Sequence, residues 1–196
     1  MRPVKVPFFA SLQAAVIRLG LLVLIIIAAI ILRPNHKQPT SVGQYNVFDK
    51  NSVTFQYPNS YAPQPKPTTA GADSIGILYQ TNPESTISVF KELNADKSAQ
   101  ASKQNILDDL ELIASRQLPL THNGFRKISD TRIKTDGFDA ADFAFRYTGK
   151  DKKTPVYSHL LIVPRGHDAF YVTIESVSKA TSDTDIAHVE STIQLP

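Results

Sequence analysis

The sequence predicts an α+β fold: an antiparallel β-sheet flanked by helices, preceded by one N-terminal transmembrane helix. Three observations predict it: an apolar run near the N-terminus, alternating strand patterns with short turns after residue 45, and two segments whose apolar residues recur at helical spacing. Several of the predicted strands are apolar on both faces. Such a sheet needs cover on both sides, so we expect an α/β/α sandwich.

The apolar run extends from Leu19 to Leu32, 14 residues without a charged side chain. As a helix it would be about 21 Å long, shorter than the roughly 30 Å hydrocarbon core of a bilayer. A span from Leu12 to Leu32 has roughly the required length if the Arg18 guanidinium reaches the N-terminal interface. The alternatives are a cleaved signal peptide, although no small-residue cleavage site follows the run, and a soluble core helix, although this segment would lack any polar face. We therefore expect an uncleaved membrane anchor.

The charges that flank this anchor favour a cytoplasmic N-terminus. Arg2, Lys5, Arg18 and the α-amine lie on its N-terminal side, and Arg33 and Lys37 follow it. The predicted organisation is a cytoplasmic N-terminus (1–11), a transmembrane helix (12–32), a linker (33–44) and an extracytoplasmic globular domain (45–196). The predicted location is the cell membrane, crossed once, with the C-terminal domain outside.

The charge balance argues against nucleic acid as a partner. The chain has 21 basic and 18 acidic residues, but five of the basic residues and none of the acidic ones lie before residue 45. The globular part therefore carries a net charge of −2, which does not favour binding to a phosphate backbone. The chain also has no cysteine, which excludes disulfides, thiolate metal sites and cysteine nucleophiles.

The first elements of the domain are predicted strands. Residues 45–58, "YNVFDKNSVTFQYP", form a predicted hairpin with its turn at Asp49-Lys50-Asn51 and with Val53, Phe55 and Tyr57 on one face. The segment "NSYAPQPKPTTAGADS" is a predicted loop because its prolines lack backbone donors. The segments "SIGILYQ" and "STISVFKEL" are two further strands, joined by a turn at "TNPE".

Residues 102–117 have helical periodicity, with Ser102 as the expected N-cap. The apolar stripe consists of Ile106, Leu107, Leu110, Ile113 and Ala114. Four strands follow, "GFRKISDTRIK", "GFDAADFAFRYTG", "TPVYSHLLIVP" and "DAFYVTIESVS". A terminal helix is expected to begin at Asp183 or Thr184 and to bury Ile186, Val189 and Ile193.

This order of elements resembles the PsbP-like (Mog1/PsbP/DUF1795-type) domains. The resemblance begins at "VTFQYPNSYAP", continues through "ISVFKEL" and "KTDGFDAADFAFRY", and ends at "SHLLIVPRGHDAFYVTIES" with the C-terminal helix. It covers roughly residues 45–196. It implies the sandwich fold and a small binding or accessory module, and it carries no catalytic residue over to this chain.

The sequence holds few candidates for a catalytic or metal site. Ser158-His159 and Ser191 are possible nucleophile positions, but no G-x-S-x-G or phosphate-binding loop accompanies them. The histidines are scattered, although His159 and His167 lie near one predicted hairpin; the others are His36, His122 and His188. A possible calcium site is formed by four acidic residues, whose hard oxygen ligands suit that ion: Asp130, Asp136, Asp139 and Asp142. No pattern of ligand spacing supports either a zinc or a calcium site.

The expected function is therefore a membrane-anchored extracytoplasmic binding or accessory module without catalytic activity. We expect no catalytic, cofactor-binding or metal-binding residues and no cofactor. The expected partners are the membrane, through the N-terminal helix, and a protein or envelope polymer, with no nucleic acid. The alternative is a hydrolase or metal-dependent envelope enzyme whose site assembles from distant residues.

Overall fold

The computed structural model describes residues 44–64, 73–98, 105–151 and 153–196. The predicted cytoplasmic N-terminus, the predicted transmembrane helix 12–32 and all of the linker except Gln44 lie outside these ranges. Within the described ranges, no helix is both long enough and apolar enough to cross a membrane.

Nine strands and three helices make up the described residues. The strands are β1 (Tyr45–Lys50), β2 (Val53–Pro58), β3 (Ala62–Pro63), β4 (Asp73–Thr81), β5 (Glu84–Glu92), β6 (Arg126–Thr135), β7 (Phe138–Thr148), β8 (Pro155–Arg165) and β9 (Asp168–Ser176). The helices are α1 (Ala95–Ser98), α2 (Ile106–Thr121) and α3 (Lys179–Thr192).

Seven of the strands form one antiparallel sheet in the order β3-β4-β5-β9-β8-β7-β6, and β1 and β2 form a separate hairpin. The hairpin is tied to the C-terminus, because Thr54 and Gln194 exchange two backbone hydrogen bonds of 3.0 and 2.8 Å. Tight turns join the last strands. At the β6–β7 turn both Asp136 and Gly137 have positive φ, the conformation that two-residue hairpin loops require.

The large sheet has an apolar core on each face. On one face, α3 and the hairpin cover it, and buried Phe55, Val172 and Ile186 belong to this core. On the other face α2 covers it, with Leu110, Phe143 and other buried side chains. The predicted antiparallel sheet with apolar residues on both faces and helical cover on both sides is confirmed, and alternate residues of every central strand face different cores.

Four predicted boundaries were wrong. The β1–β2 turn consists of Asn51 and Ser52, because Asp49 and Lys50 of the predicted turn pair with β2. Helix α2 is capped by Asn105, whose side chain accepts a 3.1 Å bond from the Leu107 amide, and it continues to Thr121. The predicted cap Ser102 lies outside the described residues. Helix α3 begins after Ser178, five residues before the predicted cap Asp183. Part of the predicted proline loop is the short strand β3, which pairs with β4.

Candidate ligand-binding cavity

A cavity of about 530 Å³ lies on the α2 side of the sheet, near the C-terminal end of that helix. Its walls come from four strands and from the residue after α2: Thr86 of β5, Tyr147 of β7, Val156 of β8, Glu175 of β9 and His122. This volume lies within the range of small-molecule sites. The cavity therefore brings together residues that are far apart in the sequence.

Strand register places the polar side chains of this cavity side by side. Glu175 is opposite Thr86 of β5 on one side and opposite Ser158 of β8 on the other. Tyr147 is opposite Val156, two residues along β8 from Ser158. Side chains at directly paired positions point to the same face of a sheet, so all of these face α2.

Glu175 is the central group of the cavity. Its side chain is buried, with only 3% of the residue exposed. One carboxylate oxygen, Oε1, accepts a 2.7 Å hydrogen bond from the Tyr147 hydroxyl. The other, Oε2, is buried and has no hydrogen-bond partner among the described residues. Burial raises the pKa of Glu175 to about 7, an effect that the Tyr147 bond and the charge of Lys150 only partly oppose.

His122 forms the wall at the end of α2. Its Nδ1 lies 3.1 Å from the carbonyl oxygen of Leu118, so Nδ1 carries the proton and Nε2 is an acceptor. The ring meets the Tyr147 ring edge-on at a centroid distance of 4.5 Å. Burial lowers the pKa of His122 to about 4, although the Leu118 bond opposes the change. The imidazole is therefore neutral at physiological pH.

A group of buried hydroxyls continues the polar floor of the sheet beyond Glu175. Ser88, Ser158 and Thr173 are each at most 3% exposed. Among the described residues, none of the three hydroxyl oxygens has a hydrogen-bond partner. Ser88 and Thr173 are paired across β5 and β9, and Ser158 is paired with Glu175. Unpaired buried polar groups are uncommon in native proteins, and a cluster of them marks a place for a ligand or ordered water.

The mouth of the cavity is formed in part by the loop between β7 and β8. Lys150 and Asp151 line it there, and both are exposed. The Asp151 carboxylate accepts bonds from the side chain and the amide of Thr154 and from the amide of Lys153, which lower its pKa to about 2. The carboxylate that closes this loop is therefore ionised.

A second polar cluster lies on the opposite face of the sheet. His159 bonds through Nδ1 to Asp142 at 2.9 Å and through Nε2 to Asp183 of α3 at 3.2 Å. Burial alone would lower its pKa, but the two carboxylates reverse this and raise it. The nearby Glu190 has its pKa raised to about 7 by burial and by repulsion from Asp142. This cluster is an ion-pair network between α3 and the sheet.

The structure separates the nucleophile and histidine candidates. Ser158 and His159 are consecutive in β8 and face different cores, so they form no dyad. Ser191 donates to the carbonyl of His188. His167 is bound to Asp96 at 2.7 Å, away from His159 and its two carboxylates. His36 lies outside the described residues.

The four aspartates of the possible calcium site also diverge. Asp130 pairs with Lys127, Asp139 with Lys134, and Asp142 with His159. Asp136 accepts a 2.9 Å bond from the amide of Leu195. Within the described ranges there is no group of three or more histidine, aspartate or glutamate side chains that could hold a metal ion.

Sequence reasoning missed Glu175 and Tyr147 and left His122 as one of several scattered histidines. One signal for Glu175 was present. In "DAFYVTIES", Tyr171, Thr173 and Glu175 alternate with apolar residues in a strand whose two faces are both buried. Two polar residues, Thr173 and Glu175, on a strand face that a helix covers indicate a polar site inside the protein.

Comparison with known proteins shows similarity in structure alone. No protein-family model matches the sequence, and no curated protein matches it significantly. The solution structure of the cyanobacterial PsbP protein CyanoP from Synechocystis sp. PCC 6803 aligns with 11% identity over 83% of this chain and 100% of that one, with a TM-score of 0.56. The Ran-binding protein Mog1p of Saccharomyces cerevisiae aligns with 7% identity over 78% of this chain and 85% of that one, with a TM-score of 0.49. The alignment with CyanoP shows that the described domain has a PsbP-like fold, which confirms the resemblance drawn from the sequence at the level of fold.

Proposed function

We propose that this protein is a membrane-anchored binding module, without catalytic activity, that takes a small ligand into the cavity at Glu175. Residues 12–32 hold it in the cell membrane with the N-terminus in the cytoplasm, and residues 45–196 work outside. The ligand reaches the cavity from the extracytoplasmic side. A cavity with a buried polar base suits a small molecule better than it suits the surface of a folded protein. We therefore propose a small-molecule ligand in place of the protein or envelope polymer expected from the sequence.

The observation that carries this proposal is the unpaired Oε2 of Glu175. A buried acceptor without a partner destabilises the folded state by about 1–3 kcal/mol. A purely structural domain gains nothing from such a group at the base of a cavity. A ligand that donates a hydrogen bond there recovers the lost interaction, so the carboxyl is a preformed recognition group.

The membrane location rests on the sequence. The anchor has the required length, lacks a cleavage site and is flanked by more positive charge on its N-terminal side. Protease added to intact cells should remove a tag fused after Pro196. A tag that stays protected, or a mature N-terminus near residue 35, would contradict the proposed topology.

Ligand binding is tested by native mass spectrometry of the full chain released from its membrane. We expect a small-molecule adduct on the wild type and its loss from Val156→Trp, because Val156 lines the cavity and an indole would fill it. The matched control is Val47→Trp on the exposed strand β1, where 65% of the residue is exposed. An adduct that survives Val156→Trp, or no adduct on any form, would contradict binding in this cavity.

A further inference from the structure

The base of the cavity presents hydrogen-bond acceptors. Glu175 Oε2 is buried and unpaired among the described residues. The neutral His122 has used its only N–H on Leu118, so its Nε2 accepts. Tyr147 has used its hydroxyl proton on Glu175, which leaves the lone pairs of its oxygen. When Glu175 is ionised, a molecule that binds here must therefore supply donors.

The charges around the cavity favour a cation. Among the described lining residues, Glu84, Asp151 and Glu175 carry carboxyl groups and Lys150 carries an ammonium group. Lys150 lies at the exposed mouth, whereas Glu175 lies at the buried base. A bound group at the base is therefore nearer to a carboxylate than to a lysine, and low local dielectric strengthens that attraction.

We propose that the cavity binds a small primary amine in its protonated form, with the ammonium group at Glu175 and the apolar body along Val156 and Val177. This inference rests on the proposed function and names the chemical class of its ligand. A primary ammonium has three N–H donors, one each for Glu175 Oε2, His122 Nε2 and the Tyr147 oxygen. A neutral alcohol offers one donor, and a carboxylate offers none and is repelled by an ionised Glu175.

Proton linkage gives this proposal a signature that neutral and anionic ligands lack. Burial holds the pKa of Glu175 near 7, so a large share of the carboxyl groups is protonated at neutral pH. An ammonium binds the ionised form, so its affinity should rise about tenfold between about pH 6 and about pH 8 and its binding should release a proton. The titratable or charged groups facing Glu175 are Tyr147 from β7, His122 after α2, Lys150 and Asp151 from the β7–β8 loop, and Glu84 from β5.

The test is calorimetric titration of the full chain in lipid nanodiscs with n-butylamine, n-butanol and butyrate, with empty nanodiscs as the reference. These probes share one apolar body and differ in the polar end. We expect butylamine to bind at least about tenfold more tightly than either of the others. Glu175→Gln should abolish that preference, because it keeps the shape and removes the charge.

The matched control is Glu92→Gln. Glu92 accepts a 2.8 Å bond from Tyr171, a second tyrosine–glutamate pair on the same face, and it does not line the cavity. The Glu92→Gln substitution should leave amine binding unchanged. If Glu175→Gln fails to fold, Tyr147→Phe serves instead: it removes one acceptor and should weaken amine binding while butanol binding is kept.

The outcomes separate this inference from the proposed function. Equal binding of the three probes, or a preference for butyrate, overturns the amine assignment but still supports the cavity as a ligand-binding site. An amine affinity that does not rise with pH, or that survives Glu175→Gln, also overturns it. If none of the probes binds, the amine assignment fails, while the mass-spectrometric adduct and its loss from Val156→Trp still decide the proposed function.

Discussion

The hydroxyl of Tyr147 and Oε1 of Glu175 are joined by a 2.7 Å hydrogen bond that spans β8, the strand lying between theirs. The bond connects two strands that share no backbone hydrogen bonds. It also fixes the carboxyl of Glu175, a residue that lines the cavity, while the second oxygen stays buried and without a hydrogen-bond partner among the described residues. Two consequences for stability follow from this one contact.

The first prediction concerns Tyr147→Phe. The substitution removes the donor and leaves both carboxyl oxygens of Glu175 unpaired, so we expect a loss of about 1–3 kcal/mol in the free energy of unfolding. It should also raise the pKa of Glu175 further, because the lost bond had lowered it. Denaturant melts at neutral pH measure the first effect. A variant as stable as the wild type would show that the hydrogen bond contributes nothing net.

The second prediction concerns the pH dependence of stability. Glu175 has a pKa of about 7 when folded, raised by burial from 4.5 in the unfolded chain, so the folded state binds its proton more tightly. Stability should therefore fall as pH rises from about 4.5 to about 7, by at most about 3 kcal/mol from this group. Glu190 contributes in the same direction.

The variant Glu175→Gln isolates the contribution of Glu175 to the pH dependence of stability. It should flatten the fall in stability over that range, measured by denaturant melts at a series of pH values, whereas Glu92→Gln should keep the wild-type slope. A slope unchanged in Glu175→Gln would mean that the carboxyl is not desolvated as its burial indicates.

The third prediction concerns His159, whose contribution to stability also falls as pH rises. The carboxylates of Asp142 and Asp183 raise its pKa despite burial. Its contribution to stability is therefore fully present below the unfolded pKa of 6.5 and is lost as pH rises through the folded value. We expect His159→Asn to destabilise by about 1–3 kcal/mol in mild acid and by less at alkaline pH. The facing charges are Asp142, Asp183, Lys179 and Glu190.

Melts of the wild type and of His159→Asn across this range provide the measurement. The difference in the free energy of unfolding between the wild type and His159→Asn should become smaller as pH rises. A difference that is constant with pH would assign the residue a packing role only.

The fourth prediction is that residues 45–196 fold without the predicted anchor. Both apolar cores are complete within the described part of this range. The isolated domain should be soluble and monomeric, should melt cooperatively, and should show mixed α/β circular dichroism. An aggregated or molten product would indicate that the predicted N-terminal helix belongs to the core and would contradict the predicted domain boundary.

The strands of this fold could be predicted because their signals are local. Short runs rich in apolar, aromatic and β-branched residues, bounded by turn residues, mark β7, β8 and β9, and Asp136-Gly137 has the residue types that a tight hairpin turn requires. The start of α3 was missed because its first turns bury polar groups. Ser182 donates to the carbonyl of Tyr157 at 3.3 Å, and Asp185 accepts a 2.5 Å bond from Tyr61. Hydropathy does not reveal a buried face of that kind.

The site was harder to predict than the fold because it depends on long-range register. Glu175 is 28 residues from Tyr147 and 53 from His122 in the sequence, and only strand order brings the three together. A local reason explains the Ser158-His159 pair. Neighbours in a strand point to opposite faces, so proximity in sequence guaranteed their separation.

The central claim is that Glu175 is a buried carboxyl that receives a cationic ligand. The most direct measurement is a ¹³C NMR titration of Glu175 Cδ, assigned with Glu175→Gln, in the free protein and with saturating n-butylamine. The account predicts a pKa near 7 in the free protein, as burial dictates. It predicts a fall to below about 5 in the complex, because the ammonium stabilises the ionised form. A midpoint near the ordinary 4.5 in the free protein, or one that butylamine does not move, would contradict it.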